Sequence, residues 1–144
     1  MVLKVKIKKI VDVKTPSYAH KGDSGVDLYS IEDYELKSME RKLIRTGIKI
    51  QIPYGYEVQI RPKSGLAIEH GITQINSPGT IDSSYRGEVK IPMINLGDKP
   101  YRIEKGRKIA QMVFARVEIA EFEIAEELEA TSRGEGGFGS TGLE

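Results

Sequence analysis

The feature that most constrains the fold of this chain is a repeated alternation of apolar with polar residues over short stretches. Residues 48–52 and 56–61 both show it, with isoleucine, valine or tyrosine at every second position. Successive side chains of a β-strand point to opposite faces, so a period of two predicts strands with one buried face. Residues 3–7 alternate in the same way. Residues 89–93 do so around Pro92, which predicts an edge strand or a bulge.

Other segments show different patterns. Residues 109–117 are almost continuously apolar, which predicts a strand buried on both faces. Residues 64–70 have room for about two helical turns, with Ser64 as the capping residue. The acidic segment 120–130 fits no single period and is interpreted as a connector with some helical content. Many short strands separated by turn signals predict an all-β barrel or sandwich.

Charge and composition exclude several classes of function. The formal net charge is +1, so no global field attracts nucleic acid or a membrane, and any anion site must be local. With no cysteine, and with His20 and His70 far apart, the sequence predicts neither disulfides nor a zinc site. There is no signal-peptide core at residues 1–6 and no apolar run near the roughly 20 residues that span a bilayer. We therefore expect a cytoplasmic protein without membrane or nucleic-acid partners.

The segment from Arg133 to Gly142 contains five glycines in ten residues. Glycine-rich backbone can turn successive N–H groups toward an anion, and Arg133 and Ser140 add side-chain donors for a phosphate. Phe138, an aromatic residue between glycines, suits stacking on a flat ring. Composition alone favours a disordered terminus. The segment lacks the Gly-Lys-Ser/Thr ending of a P-loop.

Four further positions carry candidate chemistry, each with an ordinary structural alternative. Lys63 and Ser64 lie where a strand meets a short helix. They form either an anion-binding site or an ordinary helix start. Asp82 follows an apolar strand in a turn-rich stretch, residues 76–88, interpreted as a hairpin; its carboxylate is either a base for hydrolysis or a turn residue. Asp27 orients a hydrated metal or caps a turn. Gln111 binds a ligand or is a satisfied core amide.

Taken together and in order, five segments resemble the motifs of the trimeric deoxyuridine triphosphate nucleotidohydrolase (dUTPase) family. They are Ser24-Gly25-Val26-Asp27-Leu28, Pro62-Lys63-Ser64-Gly65-Leu66-Ala67, the run from Gly79 to Glu88, Gly106-Arg107-Lys108-Ile109-Ala110-Gln111, and the run from Arg133 to Gly142. The resemblance extends from about residue 22 to residue 142. One short motif would be weak support, but five in order are specific.

The resemblance implies hydrolysis of dUTP to dUMP and pyrophosphate, which keeps uracil out of DNA and supplies dUMP for thymidylate synthesis. It implies that Asp82 activates the water that attacks the α-phosphate, while Mg²⁺ is held mainly by the triphosphate. Tyr85 would pack against the deoxyribose and exclude a 2′-hydroxyl. The uracil edge would be read by Asn76, Gly79, Thr80, Ile81, Asp82 and Lys90.

The remaining implied contacts concern the phosphates and the metal. Lys63, Ser64, Gly65 and Gln111 would hold phosphates, and Asp27 would contact the metal through water. From the tail, Phe138 would stack on uracil, Arg133 and Ser140 would reach the γ-phosphate, and Gly139 would line the bound nucleotide.

The resemblance also implies the architecture: a distorted jelly-roll-like β-barrel with one short helix, assembled as a homotrimer with shared active sites. Residues 1–130 would form the barrel domain. Residues 131–144 would form a flexible arm that closes over the active site. That site would belong to a neighbouring subunit, because a short tail gains little by folding over its own body.

Two positions depart from the family pattern. Lys63 stands where the second motif usually has Arg, so a bidentate clamp becomes a point charge. In the fourth motif, Arg107 and Lys108 follow Gly106, where an acid and then Arg are usual. Two other functions stay open: a deaminase of dCTP built on a similar fold, and a non-catalytic trimeric nucleotide-binding module.

Overall fold

A computed structural model describes residues 2–143 of the chain. Over this range the chain forms eleven β-strands and one α-helix. In chain order they are β1 (Lys6–Lys9), β2 (Val26–Tyr29), β3 (Tyr34–Leu36), β4 (Arg41–Arg45), β5 (Ile48–Gln51), β6 (Tyr56–Arg61), α1 (Ser64–His70), β7 (Ile72–Gln74), β8 (Gly79–Ile81), β9 (Lys90–Asn95), β10 (Tyr101–Ile103) and β11 (Lys108–Arg116). The predicted all-β class with one short helix is confirmed. The predicted barrel domain begins at Met1 and the predicted arm ends at Glu144, and both of these residues lie outside the described range.

The strands pair antiparallel in four sheets. The largest has the order β2-β11-β6-β8, the next has the order β4-β9-β7, and β1-β5 and β3-β10 form two-stranded ribbons. Among the described strands, none pairs with the strand that precedes or follows it in sequence, as in a jelly roll. The distorted jelly-roll-like fold is therefore confirmed, with open sheets in place of a closed ring of hydrogen bonds.

All four sheets contribute to one apolar core. Its fully buried side chains include Leu28, Leu36, Ile44, Val58 and Ile91, none of which exposes surface to solvent. Burying an aliphatic side chain of this size contributes about 1.5–3 kcal/mol to folding. The core therefore fixes the relative positions of the strands that carry the motifs.

The alternating segments fold largely as expected. Strands β5 and β6 match the predictions for residues 48–52 and 56–61. The first strand was misplaced, because β1 begins at Lys6 rather than Leu3 and its residues are exposed. Its partner β5 is only four residues long, so hydrogen-bonding partners exist only for Lys6 to Lys9.

The prediction that Pro92 lies in an edge strand or a bulge is wrong. Strand β9 lies between β4 and β7, and Pro92 is opposite Leu43 of β4 in regular register. The Pro92 carbonyl accepts a hydrogen bond from the N–H of Ile75, so the Pro92 nitrogen also faces the β7 side. Strand β7 ends at Gln74. The missing N–H therefore removes no bond of the β-ladder.

The C-terminal third of the chain begins with β11 and then loses regular structure. Ile109, Ala110 and Met112 are buried, but residues 113–115 are only half-buried, so burial on both faces holds for the first half of β11. Residues 120–130 form neither helix nor strand, and the predicted helical content is wrong. Their glutamates leave no continuous apolar face that could pack. Within residues 2–143 there is no helix with the length and apolarity to cross a membrane.

Candidate active site

A cleft of about 410 Å³ opens where β2 and β11 meet the loop that precedes α1. Asp27, Lys63, Lys108 and Gln111 line this cleft. Asp27 is opposite Gln111 in the β2–β11 pair, and directly opposed residues share one face of a sheet. The fold thus brings together Asp27, Lys63 and Gln111, which the sequence analysis selected separately.

Asp27 forms ion pairs with two lysines. Its Oδ1 accepts a hydrogen bond of 2.6 Å from Lys63 Nζ, and its Oδ2 accepts one of 2.7 Å from Lys108 Nζ. Burial by itself raises the pKa of the Asp27 carboxyl, but the hydrogen bonds and charges of Lys108 and Lys63 outweigh burial and hold this pKa below its usual value. Asp27 is therefore ionised at neutral pH and holds both ammonium groups in the cleft.

Gln111 connects the cleft to the loop before α1. Its Nε2 donates a 3.0 Å hydrogen bond to the carbonyl of Pro62. A Cβ atom on Gly25 would overlap the Gln111 Oε1, so only glycine leaves room for this side-chain position. Gly25 of the first motif therefore packs against Gln111 of the fourth. Gln111 in turn holds the loop that carries the second motif.

A β-bulge places Lys108 beside Asp27. In the β2–β11 pair, Lys108 is opposite Tyr29 while Ala110 is opposite Leu28, so Ile109 is the extra residue. Tyr29 shares a face of β2 with Asp27, two positions earlier. Without the bulge, Lys108 and Gln111, three residues apart on one strand, would point to opposite faces of the sheet.

The helix α1 begins at Ser64, one residue earlier than a cap at Ser64 would imply. Lys63, with φ −91° and ψ 123°, is the N-cap residue and makes no side-chain capping bond. The prediction that Ser64 caps the helix is therefore wrong, since a capping residue needs the extended backbone that Lys63 adopts. Ser64 and Gly65 form the first turn, where backbone N–H groups have no partner within the helix.

Asp82 follows the edge strand β8. This strand pairs with β6 on one side and is the last strand of its sheet, so its outer backbone edge has no neighbouring strand among residues 2–143. Asp82 is exposed, and its carboxylate accepts no hydrogen bond from the described residues. The hairpin predicted for residues 76–88 is wrong in its pairing, because β8 and β9 lie in different sheets.

The residues around Asp82 form a short turn. The N–H of Tyr85 donates to the carbonyl of Asp82 at 3.1 Å, and the Tyr85 hydroxyl donates to the carbonyl of Glu88 at 3.0 Å. A Cβ atom on Gly87 would overlap that hydroxyl, so the ring lies flat along the turn. At the other end of β8, Asn76 lies beside Gly79. Thr80 is exposed and Ile81 is buried.

Asp82 and the lysine cleft lie at opposite ends of β6. Ile81 is opposite Val58, which places Asp82 level with Glu57 near the start of β6, whereas Lys63 follows its end. From the level of Glu57 to Lys63 there are six residue steps, four of them within β6, which span roughly 20 Å at about 3.3 Å per extended residue. Within one chain, the proposed base and the predicted phosphate-binding residues therefore do not meet.

The tail residues lie apart from both groups. Arg133 Nε donates a 2.8 Å hydrogen bond to the carbonyl of Gly136, within the tail itself. Phe138 is completely exposed, and residues 133–142 form successive turns, including Ser140 N–H to Gly137 carbonyl at 3.0 Å. Lys90, at the start of β9, is exposed and opposite Arg45, apart from the lysine cleft. None of the tail residues lines that cleft.

The ionisable residues between positions 2 and 143 include no group of three or more His, Asp or Glu placed to hold a metal ion by themselves. Asp27 is the one carboxylate that lines the cleft beside both lysines, and each of its oxygens already accepts one hydrogen bond. A carboxylate offers about four lone-pair positions, so room remains for a water molecule. The side chains suit a cation held by a ligand's own oxygens and reached through water.

The chain is similar to known dUTPases in sequence and in structure. The dUTPase family model matches residues 12–142. A deoxyuridine 5'-triphosphate nucleotidohydrolase from Clostridium kluyveri is 61% identical over 127 residues, which is 88% of this chain and 89% of that protein.

Two solved structures share the fold. The dUTPase of Staphylococcus bacteriophage 80alpha, solved with dUPNHPP, has a TM-score of 0.90 at 29% identity, covering 97% of this chain and 99% of that one. A mutant dUTPase from phage phi11 of S. aureus, described with a structural Mg(II) ion, has a TM-score of 0.81 at 23% identity, covering 88% and 99%. With the family match over most of its length and 61% identity to a curated relative, this chain belongs to the dUTPase family.

Proposed function

We propose that this protein hydrolyses dUTP to dUMP and pyrophosphate, with Asp82 as the base. The observation that carries the proposal is the exposed Asp82 carboxylate at the end of an edge strand, in a chain of the dUTPase family. Asp82 accepts a proton from water, and the water oxygen bonds to the α-phosphorus. The bond from that phosphorus to the bridging oxygen breaks, and pyrophosphate leaves with the electron pair.

Base recognition rests on the outer edge of β8. Along Gly79, Thr80 and Ile81, alternate residues turn their N–H and C=O groups outward, and these groups can pair with the polar edge of uracil, as an added strand would pair. Asn76 lies beside Gly79 and supplies a side-chain amide at the same place. Lys90 is proposed to complete the uracil contacts.

Sugar recognition rests on Tyr85. Its hydroxyl is held by Glu88 and its ring by Gly87, so the ring cannot withdraw easily from a bound deoxyribose. A 2′-hydroxyl in contact with this ring would lose its hydration without gaining a partner. We therefore expect discrimination against UTP.

The phosphates are proposed to occupy the lysine cleft. Lys63 supplies charge, Gln111 supplies an amide, and Ser64 and Gly65 supply donors at the first turn of α1. Mg²⁺, bound mainly by the triphosphate oxygens, would neutralise charge on the phosphates, and Asp27 would contact it through water. The free lone pairs of Asp27 support this contact.

We propose a homotrimer with shared sites, and the separation of the two groups supports sites that are shared between chains. Because Asp82 lies roughly 20 Å from Lys63 in one chain, a nucleotide that touches both must bridge two chains. The segment after β11 supports the same conclusion. Its Ile119, Phe122, Ile124 and Leu128 are largely or fully exposed, which is costly unless a neighbouring chain covers them.

The tail is proposed to act as a lid on a neighbour's site. We retain residues 1–130 as the barrel domain and residues 131–144 as the closing arm. Phe138 would stack on uracil, Arg133 and Ser140 would reach the γ-phosphate, and Gly139 would let the backbone pass close to the nucleotide. Closing only over bound substrate would exclude water from the reactive phosphates. A cytoplasmic location stays a prediction from the sequence.

A nucleotide panel tests the proposal. The purified protein is incubated with Mg²⁺ and dUTP, dCTP, dTTP or UTP, and pyrophosphate is measured. We expect turnover of dUTP alone. Ammonia release from dCTP would instead identify the deaminase, binding of dUTP without any product would identify the non-catalytic module, and equal turnover of UTP would overturn the role of Tyr85.

A further inference from the structure

Lys108 has no role in the function proposed so far, although it lines the same cleft as Lys63. The bulge at Ile109 turns Lys108 onto the face of the sheet that carries Asp27 and Gln111. Its ammonium group lies 2.7 Å from Asp27 Oδ2. The two lysines thus approach one carboxylate from two different elements, β11 and the loop before α1.

Both ammonium groups keep donors for a ligand. A lysine ammonium has three N–H donors, and the pairing with Asp27 uses one from each lysine. The side chains of Lys63 and Lys108 are 29% and 48% exposed, whereas that of Asp27 is only 9% exposed. The carboxylate is therefore the buried base of the cluster, and the two ammonium groups form its solvent-facing surface.

The charge of Lys108 is secure in this setting. The hydrogen bond from Lys108 to Asp27 raises the pKa of Lys108 above its ordinary value, so the side chain stays charged. Asp23 also lines the cleft, but its Oδ2 accepts a hydrogen bond from the N–H of His20 and closes its own turn. Anions entering the cleft therefore meet two fixed cations before they meet a free carboxylate.

We propose that Lys108 is a phosphate-binding residue that contacts the part of the substrate released as pyrophosphate, with Asp27 as the residue that positions it. This inference rests on the proposed hydrolysis of dUTP. The α-phosphate must lie near Asp82, and the sugar near Tyr85, so the lysine cleft is left for the outer phosphates. Asp27 holds two separate ammonium groups, so the positive charge lies at two points. A single arginine would instead place its charge on one planar guanidinium.

The experiment compares two ligands that share a nucleoside. Affinities for dUpNHpp and for dUMP are measured by calorimetry, with Mg²⁺, for the native protein, Lys108→Ala, Lys108→Arg and the control Lys105→Ala. Lys105 is an exposed lysine in the turn before β11, outside the cleft. Its replacement removes the same charge three residues away.

We expect Lys108→Ala to weaken dUpNHpp binding about tenfold, as loss of one charge-assisted hydrogen bond would, while dUMP affinity changes less than about twofold. Lys108→Arg should restore most of the difference, and Lys105→Ala should match the native protein. Equal loss for both ligands, or no loss for either, would overturn the proposal.

Two further measurements keep the result clear. If Lys108→Ala does not fold, the neutral pair Asp27→Asn with Lys108→Gln removes the same cation without leaving a bare carboxylate, and the same selective loss of dUpNHpp affinity is expected. Turnover of dUTP by the native protein is measured separately. Absence of turnover would reject the proposed function, whereas normal turnover with unchanged dUpNHpp affinity in the variants would reject only the role of Lys108.

Discussion

Asp82 lies level with the start of β6 and Lys63 follows the end of that strand, roughly 20 Å apart at the rise of an extended chain. One nucleotide can use both only if they belong to different chains. The separation is set by the β6–β8 pairing, with Ile81 opposite Val58, and by the end of β6 at Arg61. Because both residues are anchored to packed strands, this distance is expected to stay the same within one chain.

Mixed assemblies should therefore regain activity. We expect Asp82→Asn to abolish turnover while keeping dUTP binding, and Lys63→Ala with Gln111→Ala to lower kcat/KM strongly. When the two inactive proteins are unfolded together and refolded, random mixing should give native pairs of both groups in about a quarter of the sites. Pyrophosphate release by the mixture measures this recovery.

The control for mixing is each variant refolded alone, with differently tagged chains to prove that mixed assemblies form. Activity that stays at the level of the separate variants, despite proven mixing, would place both groups in one chain's site.

Gly25→Ala should disturb the phosphate cleft without touching a ligand. A methyl group there overlaps Gln111 Oε1, so the amide must rotate and lose its hydrogen bond to Pro62. Overpacking of this kind costs about 1–3 kcal/mol of unfolding free energy. We expect that loss in chemical denaturation, together with a higher KM for dUTP.

The matched comparison is the same substitution in a Gln111→Ala background. Because the overlapping atoms are then absent, the stability loss caused by Gly25→Ala should shrink. An undiminished loss would trace the effect to the backbone of Gly25 instead.

The pH dependence of stability should carry the signature of Asp27. Its folded-state pKa lies below the ordinary value of 3.8, so ionised Asp27 stabilises the fold above that pH. This stabilisation is lost as the pH falls through the lowered folded-state pKa. Asp27→Asn should reduce the unfolding free energy at pH 7 by on the order of 1–2 kcal/mol, since solvent screens the partly exposed lysines.

The measurement is denaturant unfolding of both proteins from pH 7 downward. The gap between native protein and Asp27→Asn should stay constant to about pH 4 and narrow below the ordinary carboxyl pKa. A gap that narrows between pH 7 and pH 5 would point to a different group.

Removal of residues 133–144 should cut turnover strongly and leave the fold intact. The hydrogen bonds of Arg133 and Ser140 run within the tail, and Phe138 packs against no described residue of the barrel. We expect an unchanged melting temperature and a large fall in kcat/KM for dUTP. Phe138→Ala should reproduce part of this fall, whereas Phe138→Tyr should keep kcat/KM near the native value. An unchanged rate after deletion would refute the lid.

Much of the fold was predictable because its strands alternate clearly. Strands β5 and β6 follow directly from their pattern of buried and exposed residues. Pro92 shows where local reasoning fails, since its place in a central strand depends on the length of β7, which is remote in sequence. The cap at Lys63 depends similarly on backbone angles that no residue pattern specifies.

The candidate site was predictable by residue type more than by arrangement. Asp27 and Gln111 were selected separately, and their pairing across β2 and β11 emerged only with the register. Lys108 received no role, because Arg107 and Lys108 depart from the residues that are usual in the fourth motif. The bulge itself is visible only in the structure, where the adjacent residues Ile109 and Ala110 are both buried.

Because of the bulge at Ile109, deleting a residue from this stretch would have a much larger effect than substituting one. Replacing Ile109 by another aliphatic residue alters packing by a methyl group or two. Deleting it would restore strict alternation and carry the side chain of residue 108 through the sheet to its other side. A deletion of this single codon would thus move Lys108 away from Lys63, while the sequences of the other motifs remained unchanged.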